Sequence, residues 1–236
     1  MAKELKEQPH YLGHRNRLRE RFLIDEGDSM ADYELLEMLL ALAIPRRDVK
    51  EKAKDLIKHF GSYANVVSAP QNKLYDYGLS VNVVSAIKLV KASAKRFTWH
   101  NLKETNEPII ANMDYLLEYY TNAMAYLEVE EFRVMFLDAK LQVLKEEAMQ
   151  KGSVNSVQVH PREIVKAAIK YNATSVVLAH NHPSGKLQPS HNDLEMTKKI
   201  IDALKTIDVL VGDHLIITKQ GYYSFLESGL LERIKR

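Results

Sequence analysis

Three metal-ligating side chains lie close together near the middle of the second half of the chain. His180 and His182 stand two apart in Ala179-His-Asn-His-Pro-Ser-Gly185, and Asp193 follows eleven residues after His182. In extended backbone, residues i and i+2 point to the same side, so two imidazoles can share one ion. Pro183-Ser-Gly185 can turn the chain back towards Asp193, at the predicted start of a helix. Two histidines and a carboxylate, with a fourth position left for water, are the ligand set of a catalytic zinc site. Nitrogen and oxygen ligands also suit other divalent metals, so zinc is the favoured ion and not the only one. Ser190-x-x-Asp193 equally fits a helix capping box, and one serine can do both jobs.

The surrounding pattern supplies the elements that must hold these residues. Ser175 to Ala179 is an apolar run, expected for a strand covered on both faces. Ser190 to Ile207 predicts a helix with Leu194, Ile200, Ile201 and Leu204 inward. Pro161 to Tyr171 predicts another, with proline at its first position and a stripe of Ile164, Val165, Ala168 and Ile169. Strands are expected at Phe132–Leu137, Leu141–Glu147 and Val209–Thr218, and a helix at Asp114–Leu127. Other polar residues are discounted. His191 reads as solvent-facing and His160 as a loop residue. Asp213 and His214 share a strand, where one of them supports the site from behind or makes only core hydrogen bonds.

The first hundred residues carry helical spacing alone. Helices are expected at His14–Leu23, at Asp32–Ile44 with Asp32 as its cap, at Asp48–Phe60 and at Val81–Trp99. Pro45 and Gly61 end the second and third. Lys103 to Pro108 is polar and ends in proline, a linker signal. The chain therefore divides into a helical domain at 1–105, a linker at 106–112 and an α/β layered domain at 113–236, a two-domain α+β protein.

Composition narrows the function. The 236 residues include no cysteine, which excludes disulfides, thiolate-bound zinc and iron–sulfur clusters. It also excludes the zinc deaminase pattern of H-x-E with P-C-x-x-C, and no H-E-x-x-H is present. The N-terminal residues are charged throughout, without the apolar core of a signal peptide, and no run has the roughly 18 apolar residues of a membrane helix. The expectation is a cytoplasmic protein with no membrane partner. Residues 1–105 carry 18 Lys and Arg against 14 Asp and Glu, a net of +4; residues 106–236 carry 15 against 17, a net of −2. A DNA-facing surface in the front half fits this excess, which is too small to establish it.

His180-Asn-His182, seven residues and Ser190-x-x-Asp193 resemble the JAMM signature of MPN-type metalloproteases. The wider run GSVNSVQVHPREIVKAAI, AHNHPSG and VGDHLIIT resembles the bacterial RadC family. The likeness continues forward into GHRNRLRERF, DYELLEMLLALAIPRRDVK and FGSYANVVSAP, so it covers nearly the whole chain. It implies a JAB/MPN-like, cytidine-deaminase-like layered domain, with one Zn2+ held by His180, His182 and Asp193. It also implies an upstream glutamate on a strand, acting through the metal-activated water, and Ser190 hydrogen-bonding the oxyanion. Glu146 and Glu147 are the candidates, facing opposite sides of their strand; spacing alone leaves both open, and both also read as solvated edge charges. Glu147 stands five residues before Gly152, where similar sequences carry theirs, and is the choice. The implied activity is that of a JAMM-type zinc metallopeptidase, cleaving amide or isopeptide bonds in a protein or peptide.

The front half bears a second resemblance. Phe60 to Pro70, Leu74 and Tyr77-Gly-Leu-Ser-Val-Asn82 resemble a helix–hairpin–helix module, which binds the DNA backbone through a Gly-x-Gly turn. Here the turn reads Gly78-Leu79-Ser80, and the missing second glycine weighs against close phosphate approach. Arg15, Arg17, Arg19 and Arg21, with Arg46 and Arg47, either touch phosphates or form solvated faces. The alternative function is thus a DNA-associated, repair-linked binding protein whose metal domain is an accessory.

Overall fold

The computed structural model describes residues 13–104, 108–109, 113–151 and 159–235. Of the expected linker, only Pro108 and Ile109 fall among these, and Gly152 to Gln158 of the motif segment lie outside them. The chain forms two compact units, one up to Ser93 and one from Ala94 onward.

The first unit is helical: α1 (His14–Asp25), α2 (Asp32–Ala43), α3 (Lys50–Phe60), α4 (Tyr63–Ser68), α5 (Gln71–Asp76) and the start of α6 (Val81–Glu104). Leu36, Leu40, Leu56, Val66, Leu74, Val83 and Ile87 are buried together as its core. Asp32 is the first helical residue of α2 and not its cap: Ala31 holds the cap position, and Glu34 accepts from the Ala31 N–H at 3.0 Å. The Asp32 carboxylate instead accepts from the Tyr63 N–H at 2.9 Å, fastening the start of α4. The hairpin-like segment after Phe60 contains the two short helices α4 and α5. Gly78, at φ 89°, makes the turn into α6, and Leu79 beside it is buried in the core.

The second unit is a mixed five-stranded sheet with helices on both faces. Its strands are β1 (Glu131–Leu137), β2 (Val143–Lys151), β3 (Ser175–Asn181), β4 (Leu210–Thr218) and β5 (Gly221–Ser224), in the order β2-β1-β3-β4-β5. β1 runs antiparallel to both β2 and β3, β3 and β4 are parallel, and β5 closes the edge antiparallel to β4. α8 (Pro161–Lys170), α9 (His191–Lys205) and α10 (Leu230–Lys235) cover one face, where Val134, Phe136, Val176, Leu178, Ile200 and Leu204 are buried. α7 (Met113–Met124) and the end of α6 cover the other, against Met135, Leu137, Val177, Ala179, Leu215 and Ile217. This accounts for the apolar run in β3, every residue of which is buried.

Local chemistry moved some boundaries. β2 starts at Val143 because the Asp138 carboxylate accepts from the Lys140 and Gln142 N–H groups and Leu141 takes a left-handed φ of 60°. In α8 the inward residues are Ile164, Ala167 and Ala168, while Ile169 is exposed. In α9, Ile200 and Leu204 are fully buried, each burial contributing about 1.5–3 kcal/mol towards fixing the helix that carries Asp193.

Candidate metal centre

β3 delivers the histidines. His180 pairs with Phe132 of β1 and Ile216 of β4, and its ring lies on the α9 face. Just past the strand, His182 donates its N–H to the Ile217 carbonyl at 3.1 Å, which continues the extended backbone and keeps His182 on the same side as His180. The chain then turns. Gly185 takes φ 81°, a left-handed conformation that L side chains rarely adopt, so the turn favours glycine.

The chain returns to Ser190, the cap of α9. Its hydroxyl oxygen accepts from the Asp193 N–H at 3.2 Å, and Asp193 Oδ2 accepts from the Ser190 N–H at 2.6 Å. The capping box is therefore present. The same carboxylate also faces the histidines, with Oδ1 3.2 Å from His180 Nε2 and Oδ2 3.4 Å from His182 Nε2. Ser190 Oγ donates to Asp193 Oδ2 at 2.7 Å, so its proton points at the carboxylate and not at open space.

The two Nε2 atoms lie 2.9 Å apart. Glu130, His180, His182 and Asp193 each offer a ligand atom, all within 4.8 Å of one another. Ligands bound about 2.0–2.2 Å from a tetrahedral ion stand roughly 3.3–3.6 Å apart. The histidine and aspartate atoms match this spacing or are slightly tighter, so the group fits a metal ion. Glu130 Oε1 is a little further out, 4.0 Å from His180 Nε2 and 3.9 Å from His182 Nε2.

Ring orientation follows from the other nitrogens. His182 Nδ1 lies 2.7 Å from the Lys186 carbonyl, which can only accept. The ring therefore carries its proton at Nδ1 and leaves Nε2 for the metal group. Contact with Asp193 is the main cause that raises the proton affinity of His182, with burial opposing it. Burial would raise Asp193, but its contacts with His180 and His182 hold it far below the ordinary carboxylate range.

Glu130 is the member of this group to which motif spacing did not point. It lies just ahead of β1 and is held there by Asn181, the middle residue of His-Asn-His, whose side chain lies on the opposite face from the imidazoles. Asn181 Oδ1 accepts from the Glu131 N–H at 2.8 Å, and Asn181 Nδ2 donates to the Val129 carbonyl at 3.1 Å and the Leu127 carbonyl at 3.4 Å. The glutamates ahead of the apolar run FRVMFL were visible in the sequence. What was not visible is that β1 pairs with β3 so that its first residues meet the histidine end.

Glu147 is not brought into the group. It lies on the α9 face, as alternation requires, but opposite Val134, itself opposite Leu178. That is two strands and two residues from His180, about 12 Å between Cα atoms at standard sheet spacings. Its carboxylate accepts from the Tyr171 hydroxyl and lies 3.8 Å from Lys170 Nζ. Glu146 faces the other side and pairs with Arg133 at 2.9 Å. His191 is exposed and pairs with Glu195, and His160 is the exposed cap residue of α8.

A cleft of about 400 Å³ reaches two members of the group, Glu130 and His182, and is also lined by Val129, Ser184, Lys186 and Ser190, among others. Behind the group, His214 is fully buried against His180, and burial pushes its proton affinity well below the ordinary histidine value. Asp213 is also buried. Burial raises its pKa although Ser224 Oγ and the Leu226 and His214 N–H groups donate to it.

A family model described as RadC-like JAB domain matches residues 110–230. That span holds all five strands and every member of the metal-fitting group. No helix among the described residues is long and apolar enough to cross a membrane.

Proposed function

The chain belongs to the RadC family, with a JAB-type domain, and we propose that it is a zinc-dependent hydrolase of amide or isopeptide bonds in a protein or peptide. The observation that carries this reading is the convergence of His180, His182 and Asp193, with Glu130 set one step further out. Two imidazoles and one carboxylate without any thiolate suit zinc with an open position. Bound there, zinc would supply Lewis acidity to the scissile carbonyl and lower the pKa of a water towards neutrality.

The chain's own groups do the rest. Glu130 takes the proton of the attacking water and delivers it to the leaving amine. Its separation from the ring nitrogens leaves room for that water. Ser190 lines the same cleft, and its hydroxyl, turned from Asp193, donates to the developing oxyanion. Glu147 is the alternative acid–base; its engagement by Tyr171 and Lys170 favours Glu130 for the role. The test is zinc-dependent cleavage of a panel of peptide and isopeptide substrates. Cleavage that chelator removes and zinc restores supports the proposal, and a zinc-loaded protein that cleaves none of them counts against it.

A second reading, DNA association through the helical unit, is favoured by one observation. A hollow of about 690 Å³ is lined by Arg15, Arg46, Arg47 and Lys50, with Glu37 and Asp48 among its other walls. Salt-sensitive binding of duplex DNA by the full chain supports it; no binding at low salt removes it.

A further inference from the structure

We propose that Thr197 and His214 form a hydrogen-bond relay that fixes the proton of His180 at Nδ1 and so presents its Nε2 lone pair to the metal group. The inference rests on reading that group as a metal centre.

The direction of each bond follows from the atom that can only accept. Thr197 Oγ1 lies 2.6 Å from the Asp193 backbone carbonyl, one helical turn back. A carbonyl accepts, so the hydroxyl proton is committed there. Oγ1 also lies 2.7 Å from His214 Nδ1. With its own proton used, the hydroxyl accepts, and His214 must carry its proton at Nδ1.

The next link is the 2.8 Å contact between His214 Nε2 and His180 Nδ1. One proton lies between these nitrogens. Placing it on His214 would make a doubly protonated, fully buried ring. The rings of Phe225 and Phe132 pack against it, with centroids at 4.6 and 5.5 Å, and no carboxylate oxygen makes an ion pair with it among the described residues. An uncompensated buried charge is disfavoured. The proton therefore belongs to His180 Nδ1, and Nε2 is left for the ion. His182 reaches the same tautomer through the Lys186 carbonyl.

The fold builds this relay with one irregularity. Val176 pairs with Val211 but Val177 pairs with Asp213, so β4 holds an extra residue at Gly212. Without that bulge, alternation would turn His214 to the α7 face. With it, His214 lies opposite Leu178 on the face that carries His180. Thr197 belongs to the helix that supplies Asp193, so one chain of bonds joins Asp193 to His180. Groups of this kind set the tautomer and orientation of ligating histidines.

The test is the long-range proton–nitrogen spectrum of metal-free, histidine-labelled full chain at mildly alkaline pH, together with zinc affinity. In wild type, His214 and His180 should each be protonated at Nδ1. Thr197→Ser should keep this pattern and the affinity. Thr197→Val, matched in shape but lacking the hydroxyl, should shift the His214 proton towards Nε2 and weaken zinc binding by about 10–100-fold. The relay is overturned by an Nε2-protonated His214 in wild type, or by Thr197→Val with unchanged tautomers and affinity. A wild type that takes up no zinc would remove the metal reading, while the spectrum would still decide the relay.

Discussion

Asn181 Oδ1 accepts the Glu131 backbone N–H at 2.8 Å, across fifty positions of sequence. His-Asn-His therefore has two faces: the imidazoles converge with Asp193 in the group that fits a metal ion, and the amide between them clamps the segment that carries Glu130.

Removing the clamp has a defined signature. Asn181→Ala leaves the Glu131 N–H and the Val129 and Leu127 carbonyls without this partner. A stability loss of about 1–3 kcal/mol is expected for such stranded groups, read by urea unfolding. Zinc stoichiometry should persist, because His180, His182 and Asp193 are held by other contacts. An Asn181→Ala protein as stable as wild type would contradict the clamp.

The two candidate acid–base residues are separable. Glu130→Gln should retain zinc and lose cleavage of any substrate the wild type accepts, by a factor of about 100 or more. Glu147→Gln should leave cleavage within a few-fold, since its carboxylate is engaged by Tyr171. The reverse pattern would return the role to Glu147.

The opposite face of the sheet holds a buried ion group. Arg133 donates to Glu131 at 2.6 Å and to Glu146 at 2.9 Å, and its side chain is 8% exposed. Arg133→Met leaves two carboxylates unpaired and should cost about 3–5 kcal/mol. Adding Glu146→Gln should recover part of that. A loss below about 1 kcal/mol would place the group among ordinary surface pairs.

Burial of Asp213 gives a pH dependence whose sign can be worked out. Burial holds its folded pKa above the ordinary value of 3.8, so folding favours its protonated form. Its contribution is full below the unfolded pKa and is lost as pH rises through the folded pKa. The stability of wild type relative to Asp213→Asn should therefore fall as pH rises from about 4 towards neutrality. A difference that is flat or rises over that range would contradict the assignment.

The legible part of the site was the part governed by short range. The two-residue step of His180 and His182 and the first-turn position of Asp193 follow from strand and helix geometry alone. Glu130 did not follow, because its place depends on the pairing of Phe132 with His180 across the sheet. For Glu147, alternation gives the face, and the row comes from its pairing with Val134. The relay was hidden for a related reason, since the one-residue bulge at Gly212 decides which way His214 points. Among the elements, long amphipathic helices and apolar strands were readable. The short pieces α4, α5, β5 and α10 were not, being too brief to show a period.

His180, His182 and Asp193 are proposed to hold one zinc ion. The most direct test is zinc content and zinc titration of full-length protein purified without chelator, for wild type, His182→Ala and Asp193→Asn. One zinc per chain in wild type, with affinity weakened at least about 100-fold in each variant, is the predicted result. A wild type that takes up no zinc, or variants that bind it equally well, would contradict the account.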